Sequence, residues 1–302
     1  MLVQHDGYFR RERRWRGAGV AIPVFSLRSS ESIGCGEFAD IPLLAKWCAD
    51  VGLNILQILP VVDTRVSNTW RDSYPYSSLC VCALHPMYLR LSLLSSDLKE
   101  AIKEDIKRAR AALDLPEVDY EATMEAKLRI ARAIFDSCGQ KTLESKEYQL
   151  FLKENRDWLR PYSVFCFLRD LFGTAEHWKW GVFSKPTPEV LNRIDNNSKE
   201  WHQTIQFHCY LQFHLHCQLK SASLAASTLK VALKGDLPIG VDKRSVDTWL
   251  APYLFRMNKS TGAPPDYFDP GGQNWGFPTY NWEEMAIDDY RWWKCRLQHM
   301  SQ

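Results

Sequence analysis

Two apolar runs near the start of the chain predict a strand, a helix and a second strand. The first run, Gly19–Leu27, is rich in the β-branched and aromatic residues that strands favour. Apolar residues then recur at helical spacing between Phe38 and Cys48. The second run, Leu53–Val62, is almost continuously apolar, which is typical of a strand covered on both faces. Because a helix joins the two strands, the pattern predicts a parallel βαβ unit.

The middle of the chain is charge-rich and helical in pattern, so we expect a helical insertion over about residues 86–200. From Trp201 to Leu233 apolar residues keep an approximately helical period, and Gly235 ends it. Asp236–Val241 then follows as a predicted third strand of the same parallel sheet.

The last part of the chain changes character. Residues 251–282 are rich in proline, glycine, asparagine and aromatic residues, which is typical of a long loop with a functional role. Residues 282–300 are amphipathic and predict one helix. The alternation of strands and helices indicates an α/β protein of one large or two ordinary domains.

Composition narrows the class of protein. The 302 residues are 45% hydrophobic and 25% charged, as in globular proteins. The formal charge of +2 gives no reason to expect a nucleic-acid partner, and no apolar run is long enough to cross a bilayer. The nine cysteines include no CxxC pair, and the first sixteen residues lack the apolar stretch of a secretory signal. We therefore expect reduced thiols in a cytoplasmic protein without membrane or nucleic-acid partners.

Two patterns invite a cofactor or metal assignment. Gly34–Ala39 matches the GxGxxA pattern of dinucleotide sites, but it does not lie in the tight turn directly after a strand that this fingerprint requires. His208, His214 and His216 fall on a predicted helix, where residues two apart point to nearly opposite sides. We therefore expect no cofactor and no metal site, and interpret Gly34–Ala39 as a loop leading into a helix.

Aromatic residues are concentrated in loops that follow predicted strands. Flat aromatic faces form an apolar platform with polar edges, which suits sugar rings, and nearby carboxylates accept hydrogen bonds from hydroxyls. The alternative for each tryptophan is simple core packing. The candidates are Trp70, Tyr74, Tyr76, Trp249, Tyr253, Tyr267, Phe268, Trp275 and Tyr280, with Asp63, Asp72, Asp242, Asp247 and Asp266.

Four segments of the chain, in this order, resemble the 4-α-glucanotransferases, or amylomaltases, of glycoside hydrolase family 77. They are Gly19–Val61, Ser73–Pro86, Lys234–Trp249 and Thr261–Trp282. The form VSNTWRDSYPYSSLC is closest to the plant-type cytosolic members, and the chain resembles an internal fragment of one. One departure is Arg244, which precedes Ser245 where other members carry an aspartate.

The resemblance implies the N-terminal part of a (β/α)₈ TIM barrel, incomplete in this chain. Residues 1–14 would be an N-terminal tail and residues 15–302 a partial catalytic barrel that contains the helical insertion. The implied reaction is a retaining double displacement by two carboxyl groups. The resemblance places both the nucleophile and the acid/base beyond Gln302, so it assigns no catalytic residue to this chain.

The implied function is transfer of glucosyl or maltooligosaccharyl units from maltose or α-1,4-glucans to a glucan acceptor. Maltose, maltooligosaccharides and the acceptor glucan are then the expected partners. The alternative is a noncatalytic glucan-binding or truncated form without transferase activity. The resemblance assigns substrate binding to Tyr76, Asp266, Tyr267, Phe268, Gln273 and Trp275.

Overall fold

The computed structural model describes residues 16–195 and 198–301, so the predicted tail lies outside the described residues. The helices are α1 (Ile41–Asp50), α2 (Glu100–Ala112), α3 (Tyr120–Leu143), α4 (Lys146–Glu154), α5 (Arg156–Phe172), α6 (Pro188–Asp195), α7 (Lys199–Thr228), α8 (Val246–Leu250), α9 (Trp282–Ile287) and α10 (Arg291–Met300). The strands are β1 (Gly19–Ala21), β2 (Ile55–Gln57), β3 (Ala232–Lys234), β4 (Phe255–Arg256), β5 (Gly262–Ala263), β6 (Gln273–Asn274) and β7 (Thr279–Tyr280).

Strands β1, β2 and β3 form a parallel sheet in that order. Gly19 pairs with Ile55, which pairs in turn with Ala232. Helix α1 connects β1 to β2, as the two apolar runs predict, and helices α2 to α7 lie between β2 and β3. The chain is therefore a mixed helix and strand protein with an open three-stranded parallel sheet among the described residues.

The third strand is not where the sequence placed it. Helix α7 ends at Thr228, and Lys230 adopts a left-handed φ of 59°, so the chain enters the sheet at Ala232 rather than at Asp236. The Asp236 carboxylate accepts a hydrogen bond from the Leu237 amide, and Pro238 has no amide hydrogen to give to a ladder. The predicted strand over Asp236–Val241 is therefore wrong.

The first two strands are shorter than predicted for a similar reason. Pro23 follows β1 and leads into a 3₁₀ turn over Val24–Ser26, so Gly19–Leu27 is a strand only at its start. Strand β2 covers three residues of the run Leu53–Val62, which contains Pro60. Proline lacks the amide hydrogen that a strand in the middle of a sheet donates.

Helix α7 is the longest element and runs through the centre of the molecule. It contacts α1, α3 and α5, and its buried residues include Phe207, Tyr210, Leu211 and Leu215. One core lies between this helix, the parallel sheet, α1 and α3, and a second surrounds α5. Neither α7 nor another helix within the described ranges is apolar enough over its length to cross a membrane.

The region predicted to be a loop contains two short antiparallel strand pairs. Strand β4 pairs with β7, and β5 pairs with β6 inside them, so residues 255–280 form a nested hairpin. The helix predicted over residues 282–300 is two helices, α9 and α10, because Asp289 and Tyr290 both adopt φ of 57° between them. Left-handed residues of this kind interrupt a right-handed helix.

Candidate functional site

A cleft lies between the segment after β2, the start of α3 and the nested hairpin. Its volume is about 580 Å³, within the range of small-molecule sites. Its walls combine aromatic and polar side chains, namely Trp70, Tyr74, Trp275 and Phe277 with Ser67, Asp72, Glu121, Asp242 and Arg244. Apolar faces and hydrogen-bonding groups therefore meet on one concave surface.

Asp72 holds the loop that forms one wall of this cleft. Its carboxylate accepts hydrogen bonds from the Ser67 amide at 2.9 Å, the Ser67 hydroxyl at 2.8 Å and the Asn68 amide at 2.6 Å. Asn68 adopts φ of 55°, which asparagine tolerates. Burial raises the pKa of the Asp72 carboxyl above its usual value. Asp72 thus fixes the loop that carries Trp70 to the rim.

The two other carboxylates of the cleft are also engaged with protein donors. The Arg244 guanidinium donates to both Asp242 oxygens at 2.9 and 3.0 Å, and the Ser77 hydroxyl donates to Oδ2 at 3.2 Å. This hydrogen bonding to Asp242 raises the pKa of Arg244. Glu121 accepts a hydrogen bond from the Trp70 amide at 2.9 Å. These carboxylates therefore shape the cleft walls.

Tyr76 lies next to the cleft without lining it. Its hydroxyl donates to Asp236 Oδ2 at 2.8 Å, and its ring centroid is 5.6 Å from that of Tyr74, which does line the cleft. Partial burial and then the Asp236 carboxylate raise the pKa of Tyr76 to about 12. The Tyr76 hydroxyl is therefore a neutral donor held by Asp236.

Gly240 and Tyr280 anchor the nested hairpin beside Asp242. A Cβ at Gly240 would lie 2.8 Å from the Phe277 ring, so only glycine lets Phe277 approach this closely. The Tyr280 hydroxyl donates to the Ile239 carbonyl at 2.7 Å. These contacts hold the returning half of the hairpin against the cleft.

Three of the predicted binding residues form the tip of the hairpin. Asp266 Oδ1 accepts hydrogen bonds from the amides of Phe268 at 2.9 Å and Asp269 at 2.7 Å, which closes a tight turn. Tyr267 and Phe268 are 92% and 91% exposed, with ring centroids 5.4 Å apart. None of these three residues lines the cleft.

The other two predicted hairpin residues lie on the returning half. Trp275 lines the cleft, and its indole Nε1 donates to Gln273 Oε1 at 2.8 Å. Gln273 therefore orients the Trp275 ring. Of the six predicted binding residues, the structure brings Trp275 into the cleft, places Gln273 and Tyr76 beside it, and places Asp266, Tyr267 and Phe268 at the hairpin tip.

The sequence profile of glycoside hydrolase family 77, described as 4-alpha-glucanotransferase, matches residues 22–302. The chain belongs to this family. The resemblance carried by the four segments is therefore confirmed, although the activity of whole relatives does not pass to the chain by membership alone.

Two relatives illustrate how much of a family member the chain covers. It is 54% identical over 300 residues to "4-alpha-glucanotransferase DPE2" of Oryza sativa subsp. japonica, across 99% of this chain and 32% of that protein. It is 34% identical to the 4-alpha-glucanotransferase of Chlamydia pneumoniae, across 93% of this chain and 52% of that protein. The chain thus spans about a third to a half of these relatives.

A solved amylomaltase from Streptococcus agalactiae, in complex with acarbose, has the same fold over this region. The TM-score is 0.77 at 24% identity, and the match covers 94% of this chain and 57% of that chain. At this identity the structural similarity establishes the fold only. The acarbose belongs to the Streptococcus agalactiae protein and is not a finding about this chain.

Some of the sugar-binding candidates lie in the core of this family member instead. Trp249 is buried, and its indole donates to the Phe183 carbonyl at 3.1 Å. Asp247 is buried and accepts hydrogen bonds from the Val81 amide and the Trp292 indole. The loop-platform interpretation is therefore wrong for these two residues.

Asp63 also lies below the cleft rather than in it. The Arg65 guanidinium donates to both Asp63 oxygens at 3.0 and 2.9 Å, and the Tyr162 hydroxyl donates to Oδ2 at 2.7 Å. Although burial opposes ionisation, Arg65 holds the pKa of the Asp63 carboxyl well below its usual value. The Arg169 guanidinium donates to the Arg65 carbonyl at 2.7 Å. This buried set fixes the chain just before the cleft loop.

The three histidines of α7 that invited a metal assignment do not converge. His208 lies 3.8 Å from Asp170, whereas the His216 Nδ1 lies 2.7 Å from the Gln212 carbonyl, and His214 is buried among aromatic rings. Within residues 16–195 and 198–301, no three histidine, cysteine, aspartate or glutamate side chains are grouped to hold a metal ion.

The sequence interpretation missed Ser67 and Glu121 as cleft residues. Glu121 accepts a hydrogen bond from the Trp70 amide although the two residues are 51 positions apart in the sequence. No local sequence pattern predicts that contact. Ser67 carried a usable signal, because serine followed closely by aspartate in a polar segment is typical of side-chain to backbone turns.

Proposed function

We propose that this protein is a 4-α-glucanotransferase in which the cleft lined by Trp70, Tyr74, Ser77, Asp242, Arg244 and Trp275 binds an α-glucan. The proposed reaction moves glucosyl or maltooligosaccharyl units from maltose or α-1,4-glucans to a glucan acceptor. The observation that carries the proposal is the cleft in which the indole of Trp275, oriented by Gln273, faces polar groups including Asp242 and Ser77. A sugar ring offers a CH-rich face to an aromatic plane and hydroxyls to polar groups.

Family membership and the names of the relatives support the same substrate class. For the fold we propose the N-terminal part of a (β/α)₈ barrel, with the helices between residues 86 and 200 as an insertion. The open parallel sheet with helical crossovers supports this assignment. All nine cysteines are unpaired, which supports a cytoplasmic location.

We assign these residues to binding rather than to bond breaking. A retaining double displacement needs a nucleophilic carboxylate and a second carboxyl that protonates the leaving sugar, about 5 Å apart. The carboxylates of Asp72, Asp242 and Glu121 are each engaged by backbone or side-chain donors of the protein itself. That engagement also favours the second candidate function, glucan binding by this chain without turnover.

Replacing Trp275 with alanine is expected to weaken maltoheptaose binding by about tenfold, or about 1.4 kcal/mol, because the stacking face is lost. Isothermal titration calorimetry of the 302-residue chain measures the change. Trp47→Ala on α1, half exposed and away from the cleft, is the matched control and should bind like the unaltered chain. If Trp275→Ala and Trp47→Ala lost the same maltoheptaose affinity, the cleft would not be the binding site.

The 302-residue chain incubated with maltose and glycogen is expected to release no glucose above a protein-free blank. Its cleft carboxylates are committed to protein donors, and binding alone does not perform covalent catalysis. Sustained glucose release by the purified chain would assign chemistry, in addition to binding, to the residues described here.

A further inference from the structure

A short segment after β3 is held in place by side chains from two later elements. Residues 235–240 follow β3 and belong to no strand or helix. The Pro238 carbonyl accepts a hydrogen bond from Arg296 Nη2 at 2.7 Å. The next carbonyl, that of Ile239, accepts one from the Tyr280 hydroxyl at 2.7 Å. Donors from α10 and β7 therefore fix two consecutive carbonyls of this segment.

The same stretch of chain contacts the cleft loop at both of its ends. At its start, the Asp236 carboxylate accepts a hydrogen bond from the Tyr76 hydroxyl at 2.8 Å. Just past its end, the Asp242 carboxylate accepts a hydrogen bond from the Ser77 hydroxyl at 3.2 Å, and the Asp242 amide donates to the Ser78 carbonyl at 2.9 Å. The position of the Tyr76 hydroxyl therefore depends on where this stretch of chain lies.

Arg296 is a charged side chain in the interior of the protein. It is 1% exposed, and its Nε and Nη1 atoms lack a hydrogen-bond partner within the described part of the chain. Burial lowers the pKa of Arg296 below its usual value, so the interior opposes its charge. A buried charge costs folding free energy that an apolar side chain of similar volume avoids. Packing alone therefore does not explain an arginine at this position.

The surroundings of Arg296 hold its guanidinium at the carbonyl that it contacts. Its Cζ lies 5.4 Å from the ring centroid of Trp292 and 5.1 Å from that of Trp293. The Trp292 indole donates to Asp247 Oδ1 at 3.0 Å, and the Trp293 ring centroid is 5.2 Å from that of Tyr280. These contacts attach α10 to α8 and β7. Since a charged donor forms a stronger hydrogen bond than a neutral one, an arginine is suited to restrain a carbonyl outside the sheet.

We propose that Arg296 is a positioning residue for the Tyr76 hydroxyl, acting through the Pro238 carbonyl and the Asp236 carboxylate. This inference rests on the proposed function, in which Tyr76 lies beside the glucan cleft. Without the Arg296 donor, residues 236–240 gain freedom, and Asp236 no longer holds the Tyr76 hydroxyl in one place. Ordering this stretch then has to accompany binding, so the affinity for a glucan falls.

The test is a double-mutant cycle on maltoheptaose affinity, measured by calorimetry on the 302-residue chain. Arg296→Met is expected to lower the affinity about fivefold in the otherwise unaltered chain. In the Tyr76→Phe background the same change is expected to cost less than about twofold, because the hydroxyl that Arg296 positions is already absent. A purely structural role of Arg296 would instead lower the affinity equally in both backgrounds.

Two further variants separate the hydrogen bond from the charge. Arg129→Met is the matched control, because Arg129 pairs with Asp105 on the exposed surface of α2 and α3, and it should leave the affinity unchanged. Arg296→Lys keeps a charged donor at the end of a long side chain and should retain most of the affinity. A loss in Arg296→Lys as large as that in Arg296→Met would contradict the role of the donor.

The outcomes distinguish this inference from the proposed function. Equal losses with and without Tyr76→Phe overturn the positioning role and leave glucan binding in the cleft standing. Absence of maltoheptaose binding by the unaltered chain overturns the proposed function, and this inference falls with it. If Arg296→Met does not melt cooperatively, Arg296→Gln, which keeps a polar side chain but is too short to reach as far, replaces it under the same expectation of coupling to Tyr76.

Discussion

Replacing Lys127 with methionine is expected to lower the free energy of unfolding by about 3 to 5 kcal/mol, because it leaves a buried carboxylate uncompensated. Lys127 and Glu37 are 1% and 0% exposed and form an ion pair. Arg90 pairs with both Glu37 and Asp40, so two bases balance two acids in the interior. The variant removes one positive charge from this balance.

Lys127 also satisfies two backbone acceptors. Its ammonium donates to the Met87 carbonyl at 2.6 Å and to the Leu89 carbonyl at 3.1 Å. In the variant the Met87 carbonyl keeps the hydrogen bond from the Cys35 thiol at 3.5 Å. The Leu89 carbonyl loses this donor, and a buried acceptor without a partner costs about 1 to 3 kcal/mol. This loss acts in the same direction as the loss of charge balance.

Chemical denaturation at neutral pH measures the effect. Lys103→Met is the matched control, because Lys103 pairs with Glu100 at 3.2 Å on the exposed surface of α2, where such pairs contribute about 0 to 1 kcal/mol. Adding Glu37→Gln to Lys127→Met should recover part of the loss by restoring the charge balance. A loss below about 1 kcal/mol in Lys127→Met would contradict the assignment of this pair as buried and essential.

The buried ion pairs mark the limit of what the sequence can predict. Glu37 lies 53 positions from Arg90 and 90 positions from Lys127, on three separate elements. The loop Gly34–Ala39 was correctly interpreted as leading into a helix, with Asp40 at the start of α1. Hydrophobic periodicity locates such a loop, but it carries no information about which distant charges meet beside it.

The parallel βαβ unit was predictable for a physical reason. Two short apolar runs separated by a stretch of helical period specify strand, helix and strand, and this signal is local. Only the middle residues of the two strands, Val20 and Leu56, pack against the core, so β1 is less covered than its apolar run suggests. Strand β3 was misplaced because the apolar period of α7 extends past its true end at Thr228. A left-handed residue such as Lys230 ended the helix without glycine or proline to announce it.

The candidate site was predicted by type of residue more reliably than by position. Trp275 and Asp242 line the cleft as expected of loop residues after strands, whereas Trp249 has the same local context and is buried. The difference arises from the packing of α5 and the Phe183 segment around Trp249, which is tertiary information. The hairpin turn at Asp266 likewise depends on hydrogen bonds that no spacing specifies uniquely.

Acidification is expected to unfold the protein between about pH 6.5 and 4, because several histidines are buried in the neutral form. Burial is the first cause of a lowered pKa in each. The values are about 3 for His85 and His208, and about 4 for His177, His214 and His216.

The direction follows from proton counts. An unfolded histidine takes up its proton near pH 6.5, whereas these folded side chains stay neutral until about pH 4. Between the two values the unfolded state binds more protons, so each fall in pH lowers the free energy of unfolding. By pH 4, one such histidine lowers the free energy of unfolding by about 3 kcal/mol. The total free energy of unfolding of a typical domain is only about 5 to 15 kcal/mol. A few of these side chains are therefore enough to cause unfolding.

His214→Leu isolates one of these titrations. The Nε2 of His214 is buried without a hydrogen-bond partner among the described residues, and burial is the sole cause of its lowered pKa. Between pH 5 and 6.5, the unfolding free energy of the variant should depend less steeply on pH than that of the unaltered chain. The difference in slope should be up to about 1.4 kcal/mol per pH unit. Leu224→Ala, at an exposed position of α7, is the control and should keep the slope of the unaltered chain. Identical slopes for His214→Leu and the unaltered chain would contradict this expectation, because they would show that His214 binds its proton at the same pH in the folded and unfolded states.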